Sequence, residues 1–118
     1  MSSRTPLIAG NWKMHKTGSQ ATAAAGQLKS LVKTATDLEI MIAPPFTSLY
    51  QVAQVLSGSP IALGAQNLYW EKQGAFTGEI SSEMLVDAGC SYVIIGHSER
   101  RLFFDDTDAT VNRKIQAA

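Results

Sequence analysis

Four short apolar segments, each followed by a stretch of helical periodicity, constrain the fold of this chain more than any other feature. The segments span residues 7–9, 40–43, 61–65 and 92–95. None of them alternates polar and apolar residues, and such continuous apolar runs are typical of strands covered on both faces. The alternation of strand and helix therefore predicts an α/β fold with a parallel sheet and right-handed crossovers.

The segments between the strands carry apolar residues at helical spacing. In three of them one stripe recurs at intervals of three and four residues, which predicts amphipathic helices. The stripes comprise Ala24, Leu28, Leu31 and Val32; Leu49, Val52, Ala53 and Leu56; and Val111, Ile115 and Ala118. A shorter helix over 82–88 should end at Gly89. Thr47 should cap the second helix, and Thr107 or Asp108 the last.

Charge and cysteine content narrow the classes of partner and the compartment. Ten basic residues balance ten acidic ones and no run of like charges occurs, so neither nucleic acid nor an anionic membrane is expected as a partner. No apolar stretch approaches the ~20 residues that a transmembrane helix needs. Cys90 is the only cysteine, which excludes an internal disulfide and favours a reducing, cytoplasmic location. We interpret Cys90 as a small core residue.

The connection over 66–80 is longer than the ~2–6 residues usual between the strand and helix of such units. It carries three aromatic residues, Tyr69, Trp70 and Phe76. From the residues alone two interpretations remain open: the loop folds onto its own domain, or it docks onto a partner.

Polar side chains gather where the first and fourth strands end. In a parallel α/β array all strands end on one edge, and ligands bind there. The first strand leads into Asn11 and Lys13, and the fourth leads into His97 and Glu99. These groups suit a small, anionic, oxygen-rich molecule. Each also has a structural interpretation, such as a turn closed by Asn11 or an ion pair made by Glu99. His15 has no such companion and is interpreted as structural.

The residues around His97 predict the state of its ring. Gly96 permits a sharp exit from the strand, and Ser98 can begin a helical turn whose free N–H groups point back toward His97. A ring nitrogen that accepts such a hydrogen bond carries no proton. His97 would then be neutral at pH 7, as an electrophile or proton shuttle. Two histidines and one cysteine form no spaced ligand set, so no metal is expected.

Four stretches of the chain resemble the triosephosphate isomerase family. They are AGNWKMHKT (9–17), APPFTSLYQV (43–52), LGAQNLYWEKQGAFTGEIS (63–81) and VIIGHSERR (93–101). The similarity extends over essentially the whole chain in the order of the family. It implies an eight-fold β/α barrel that interconverts dihydroxyacetone phosphate and glyceraldehyde 3-phosphate in glycolysis and gluconeogenesis, without cofactor or metal.

The resemblance also implies roles for individual residues. Asn11 and Lys13 resemble the substrate-binding pair, with Lys13 facing the phosphate and the enediolate oxygens. His97 resembles the electrophile that polarises the carbonyl and moves protons between the two oxygens, and a neutral histidine in this role is an established property of the family. Ser98 and Glu99 resemble the residues that support these groups, with Glu99 tied to Lys13.

The long loop resembles the family's dimer loop. By this resemblance Thr77 enters the neighbouring subunit close to its Asn11 and Lys13 equivalents, and Phe76, Gly78 and Met14 also lie at the subunit interface. The resemblance therefore favours the docking interpretation and predicts a homodimer.

The chain is too short for the whole barrel, which needs ~250 residues, whereas 118 are present. It resembles a single N-terminal half-barrel segment over 1–118, a (β/α)4 array without the C-terminal half. The family's catalytic glutamate, mobile lid and later phosphate loops have no counterpart here, so the isolated chain is expected to be inactive. Its expected partner is a second copy or a complementary C-terminal half. The alternative is a non-catalytic half-barrel that folds or self-associates as a scaffold.

Overall fold

The computed structural model describes residues 4–118, in which strands and helices alternate along the chain. The four strands are β1 (Leu7–Asn11), β2 (Glu39–Ala43), β3 (Ile61–Ala65) and β4 (Tyr92–Val93). The five α-helices are α1 (Gly18–Leu31), α2 (Leu49–Leu56), α3 (Ser82–Ala88), α4 (Ser98–Phe103) and α5 (Asp108–Ala117). Across this described range, no helix combines the length and the apolar character needed to cross a bilayer.

The sheet has the order β1-β2-β3-β4, and each neighbouring pair is parallel. Consecutive strands are neighbours in space, which is the usual arrangement for strands joined by short connections. The strands curl into half of a barrel, which confirms the predicted (β/α)4 architecture. β1 and β4 are the two edge strands.

Three strand boundaries differ from the predicted ones, and the smallest difference is that β2 begins at Glu39 rather than residue 40. β1 continues to Asn11 rather than residue 9, because Asn11 pairs with Ala43 in the ladder. β4 ends at Val93 rather than residue 95, although the Ile94 N–H still donates to the Ala65 carbonyl at 2.8 Å. The ladder stops there because β3 itself ends at Ala65.

The core lies between β3 and the helices that cover it. Every residue of β3 is buried or half-buried, as expected for a strand inside the sheet. Val52 of α2 is completely enclosed, and Leu49 and Leu56 on the same face are nearly so. The apolar stripe predicted for α2 is therefore confirmed.

The stripe predicted on α1 is partly wrong. Leu31 is 80% exposed, and the enclosed positions are Ala21 and Ala25. Leu28 and Val32 pack beside them, as predicted. Small residues at the centre of this face let α1 approach its neighbours closely, and their own hydrophobic signal in the sequence is weak.

The stripe predicted on α5 is wrong at Ile115 and Ala118, which are exposed, although Val111 is half-buried. Ile115 is 58% exposed, whereas Lys114 is only 3% exposed and is the residue of α5 most deeply buried. The predicted stripe contained only apolar residues and therefore excluded Lys114. The predicted buried face is consequently displaced by one position from the observed one.

The cap predicted for α2 is wrong, and the cap predicted for α5 is confirmed. Thr47 does not cap α2, because Phe46–Ser48 form a 3₁₀ turn in which the Ser48 N–H donates to the Pro45 carbonyl at 3.0 Å. This turn occupies the first N–H groups with backbone partners, so no side-chain cap is needed. Thr107 caps α5 as predicted, since its hydroxyl accepts from the Thr110 N–H.

The aromatic residues of the long loop contact one another. The Tyr69 ring lies 4.2 Å from the Trp70 ring and 4.8 Å from the Phe76 ring, measured between centroids. The Tyr69 N–H also donates to the Ile80 carbonyl at 2.8 Å, which closes the base of the loop. Residues 71–79 are exposed, so the loop projects as a folded unit.

Gly89 ends α3 as predicted, and its substitution should be costly. Its φ is 108°, and an added Cβ would lie 2.9 Å from the Cβ of Ala53. Gly89→Ala is expected to lower the free energy of unfolding by about 1–3 kcal/mol, measured by urea denaturation. Gly26→Ala is the matched control, because Gly26 lies within α1 with open space around an added Cβ. That variant should gain about 0.5–1 kcal/mol, and equal losses in both would contradict this account of Gly89.

Candidate functional site

The ends of β1 and β4 bring the predicted polar groups to one cleft. Asn11 ends β1, and His97 is the N-cap of α4, four residues after the end of β4. Both line a cleft of about 180 Å³. The other lining residues are Lys13, Met14, Phe46, Gln66, Asn67, Glu99, Arg100 and Phe104. The juxtaposition predicted for Asn11, Lys13, His97 and Glu99 is therefore present.

The backbone of Lys13 is held in a strained conformation by two side chains. Its φ is 54°, which costs a residue other than glycine of order 1–3 kcal/mol and persists only where the surroundings enforce it. The Lys13 N–H donates to Asn11 Oδ1 at 2.9 Å, and Gln66 Nε2 donates to the Lys13 carbonyl at 2.8 Å. Asn11 thus closes the turn that sequence analysis allowed, while its Nδ2 group remains a donor.

The predicted contact between Glu99 and Lys13 is an ion pair. Lys13 Nζ lies 2.7 Å from Glu99 Oε1, and both side chains are about half exposed. The hydrogen bond from the Lys13 ammonium lowers the pKa of the Glu99 carboxyl below its ordinary value. The pair therefore links the end of β1 to the start of α4.

The His97 ring accepts a hydrogen bond from the main chain, as predicted. The Glu99 N–H donates to His97 Nδ1 at 3.0 Å. Glu99 Oε2 is 3.7 Å from the same nitrogen, which is too long for a hydrogen bond. Because Nδ1 acts as an acceptor, the proton of the neutral ring is on Nε2. His97 can then offer an N–H group to an oxygen bound in the cleft.

Gly96 forms the turn that orients the His97 side chain. Its φ is 69°, and an added Cβ would lie 2.8 Å from a methyl carbon of Val111. Glycine meets both constraints, since it tolerates positive φ and leaves room for α5. The sharp exit from β4 predicted from the sequence is present.

Four of the five other predicted residues do not line the cleft. Ser98 is exposed at the first position of α4 and does not line the cleft. Phe76, Thr77 and Gly78 lie in the exposed part of the long loop, also away from the cleft. Met14 lines the cleft and is 93% exposed.

An ionic network that adjoins the cleft and is buried at its centre escapes sequence analysis. It comprises Lys114, Asp106, Asn67 and Arg100, and we call it the Lys114 network. Lys114 Nζ donates to Asp106 Oδ1 at 2.8 Å and to Asn67 Oδ1 at 2.9 Å. Arg100 Nε donates to Asp106 Oδ2 at 3.0 Å. Burial raises the pKa of the Asp106 carboxyl, but the hydrogen bonds and charges of Lys114 and Arg100 outweigh it and lower that pKa below its ordinary value.

Two further residues that make contacts at the site, Gln66 and Asn67, were not selected as site residues from the sequence. Gln66 and Asn67 follow β3 at the same strand edge as Asn11 and His97. Gln66 Nε2 also donates to the Ala43 carbonyl at 2.8 Å, so it joins the ends of neighbouring strands. Their position directly after a strand was the signal that could identify them.

The Cys90 thiol is not suited to nucleophilic chemistry. Burial raises the pKa of Cys90 to about 11, so the thiol stays protonated near neutral pH. Cys90 packs against the apolar core, in agreement with its interpretation as a small core residue.

The lowered pKa of Glu99 predicts acid sensitivity of the cleft. Because this pKa is lower in the folded than in the unfolded chain, the ion pair contributes stability above the ordinary carboxyl pKa. That contribution is lost as the pH falls through the lowered value. A carbon-13 NMR titration of the Glu99 carboxyl should therefore show a depressed midpoint, which Lys13→Met should raise. Lys16→Met, a change at an exposed lysine nearby, should leave it unchanged. A midpoint insensitive to Lys13→Met would contradict the pairing.

Comparison with known proteins assigns the chain to one family. The triosephosphate isomerase family profile matches residues 6–118. Over 115 residues the chain is 59% identical to triosephosphate isomerase of Geobacter metallireducens, and the match covers 98% of this chain and 46% of that protein. Triosephosphate isomerase of Chloroflexus aurantiacus is 58% identical with the same coverage. The chain spans about half the length of these curated relatives.

A solved structure agrees with the sequence comparison. The crystal structure of triosephosphate isomerase from Bartonella henselae superimposes on this chain with a TM-score of 0.91 at 42% identity. The superposition covers 98% of this chain and 47% of that one. In both sequence and fold, the chain belongs to the triosephosphate isomerase family.

Proposed function

We propose that this chain carries the substrate-binding and electrophilic half of a triosephosphate isomerase site. The observation that carries the proposal is the shared cleft, in which a lysine ammonium and a histidine ring with an acceptor Nδ1 stand beside an amide. The proposed reaction interconverts dihydroxyacetone phosphate and glyceraldehyde 3-phosphate by proton transfer, with no cofactor or metal. Its substrate is a small phosphorylated triose.

Each group in the cleft has a chemical task in this proposal. Lys13 supplies a positive charge for the phosphate and for the negative charge that develops on the enediolate oxygens. His97 donates from Nε2 to the carbonyl oxygen and moves protons between the two oxygens. Asn11 binds substrate through its amide, and Glu99 holds the Lys13 ammonium in position. Ser98 supports the first turn of α4.

The reaction also needs a base that this chain lacks. Removal of a proton from the carbon next to a carbonyl requires a positioned base, and the family's catalytic glutamate has no counterpart among these residues. The lid and the later phosphate loops, which exclude water and use phosphate binding energy, also have no counterpart. We therefore propose that 1–118 is a single N-terminal half-barrel segment, inactive alone, that needs the C-terminal half.

The long loop is the proposed contact with a second subunit of a homodimer. Thr77 is exposed in the loop between Phe76 and Gly78, and the tilted ring contacts of Tyr69 stiffen the loop. Met14, 93% exposed beside the cleft, is the proposed counterpart surface. The cytoplasmic location favoured by the single cysteine stays a prediction.

A scaffold function is the second candidate. The edge strand β1 favours it, because Ile8 is 57% exposed and Leu7 43% exposed. Apolar residues on an open strand edge promote association with another chain. A second copy, or a complementary C-terminal half, would cover them.

An isomerisation assay separates these functions. We compare the 118-residue chain with the same chain joined to the remaining part of the Geobacter metallireducens relative, which we call the completed protein. The chain alone should give no turnover above the buffer, and the completed protein should be active. Robust turnover by the chain alone would contradict the proposed dependence on the other half. An inactive but folded completed protein would favour the scaffold function.

A further inference from the structure

The helix that carries His97 has little apolar anchoring. No residue of α4 is buried, and its Leu102 and Phe103 are 74% and 66% exposed. A helix of this length is not stable on its own. The position of α4, and with it the position of His97, must therefore depend strongly on polar contacts with the rest of the chain.

One side of the Lys114 network holds α4. Arg100, on α4, donates to Asp106, and Asp106 accepts from Lys114 on α5. The side chains of Asp106 and Lys114 are only 7% and 4% exposed. Charges removed from water require close partners, so this pair has few alternative arrangements. Arg100 is consequently tied to a fixed point on α5.

The other side of the network reaches the loop that holds Lys13. Lys114 Nζ donates to Asn67 Oδ1 at 2.9 Å. Asn67 follows Gln66 directly, and Gln66 binds the carbonyl of Lys13 at 2.8 Å. The Lys114 ammonium is thus connected by hydrogen bonds to both sides of the cleft. Through Asp106 it reaches the helix that follows His97, and through Asn67 it reaches the segment that binds the strained backbone of Lys13.

We propose that Lys114 is a positioning residue whose buried contacts with Asp106 and Asn67 fix His97 and Lys13 relative to each other. Lys114 does not line the cleft, so it acts through these partners. The inference depends on the proposed function only for the reaction that His97 and Lys13 serve. The positioning itself is a property of the chain without substrate.

The first test cuts the network at α4. Arg100→Met removes the link to Asp106 while the buried pair of Asp106 and Lys114 stays intact, so the chain should remain folded. Nitrogen-15 NMR of the His97 ring reports whether Nδ1 is the acceptor. We expect a single tautomer with an acceptor Nδ1 in the unaltered chain, and signals averaged between the two tautomers in Arg100→Met.

A second variant removes the buried charges together. Asp106→Leu combined with Lys114→Met replaces both members of the pair by apolar side chains, which folds commonly tolerate. The same averaging of the His97 signals is expected. Lys29→Met is the matched control, because Lys29 Nζ binds the carbonyls of Val55 and Ser57, outside this network. The control should keep the single tautomer.

The outcomes test the positioning role of Lys114 separately from the proposed isomerase function. An unchanged His97 ring in folded Arg100→Met overturns it, and Arg100→Met decides alone if the double variant does not fold. In the completed protein both variants should lower kcat by about 10–100-fold, with a smaller change in KM. If the unaltered completed protein is inactive, the proposed function fails, and the substrate-free ring measurement still tests the positioning.

Discussion

Replacing Lys114 with methionine is expected to lower the free energy of unfolding by about 3 kcal/mol. The loss arises because Asp106 would remain buried with Arg100 as its only cationic neighbour in the Lys114 network. Asn67 would also lose the donor to its Oδ1, and an unsatisfied buried acceptor carries its own cost. Urea denaturation at neutral pH, followed by circular dichroism, measures the change.

The double variant and a control make this prediction specific. Asp106→Leu added to Lys114→Met should recover most of the loss, because it removes the uncompensated carboxylate. Lys29→Met should cost about 0.5–1 kcal/mol, since Lys29 only donates to two carbonyls. A Lys114→Met chain as stable as the unaltered one would show that the network contributes nothing to the fold.

The second large effect is on catalysis by the completed protein. His97→Gln is expected to lower kcat by about 10²–10⁴-fold, because the amide cannot move a proton between two substrate oxygens. The change in KM should be much smaller, since Lys13 and Asn11, the proposed substrate-binding pair, are unaltered. Steady-state kinetics in both directions of the reaction measure the two constants.

The chain offers a matched control for this variant. His15 is its only other histidine; it is exposed and does not line the cleft. His15→Gln should leave kcat and KM unchanged. Equal losses in the two histidine variants would show that His97 has no special role in the reaction.

Sequence reasoning predicted which polar side chains lie together at the strand ends better than it predicted the helix faces. The strands could be located from continuous apolar runs to within two residues, and parallel strands bring their ends to one edge. Asn11 and His97 were therefore predicted together although they are far apart along the chain. The acceptor role of His97 Nδ1 followed from Gly96 and the helical turn after it, because the Glu99 N–H that donates to this nitrogen lies in the first turn of α4.

The predictions failed where tertiary packing overrides local pattern. On α5 the buried residue is a lysine, and its partners Asp106 and Asn67 come from separate segments, so no spacing along the chain could reveal the network. On α1 the enclosed residues are alanines, whose hydrophobic signal is weak. Thr47 is of a residue type that commonly caps helices, but the 3₁₀ turn already satisfies the first N–H groups before α2.

The central claim is that Lys13 and His97 bind one small phosphorylated ligand together. A titration of the completed protein with dihydroxyacetone phosphate, followed by NMR signals of the Lys13 side chain and the His97 ring, tests it most directly. Both signals should move in parallel and give the same dissociation constant. The claim is contradicted if one signal stays fixed while the other saturates, or if the two give different constants.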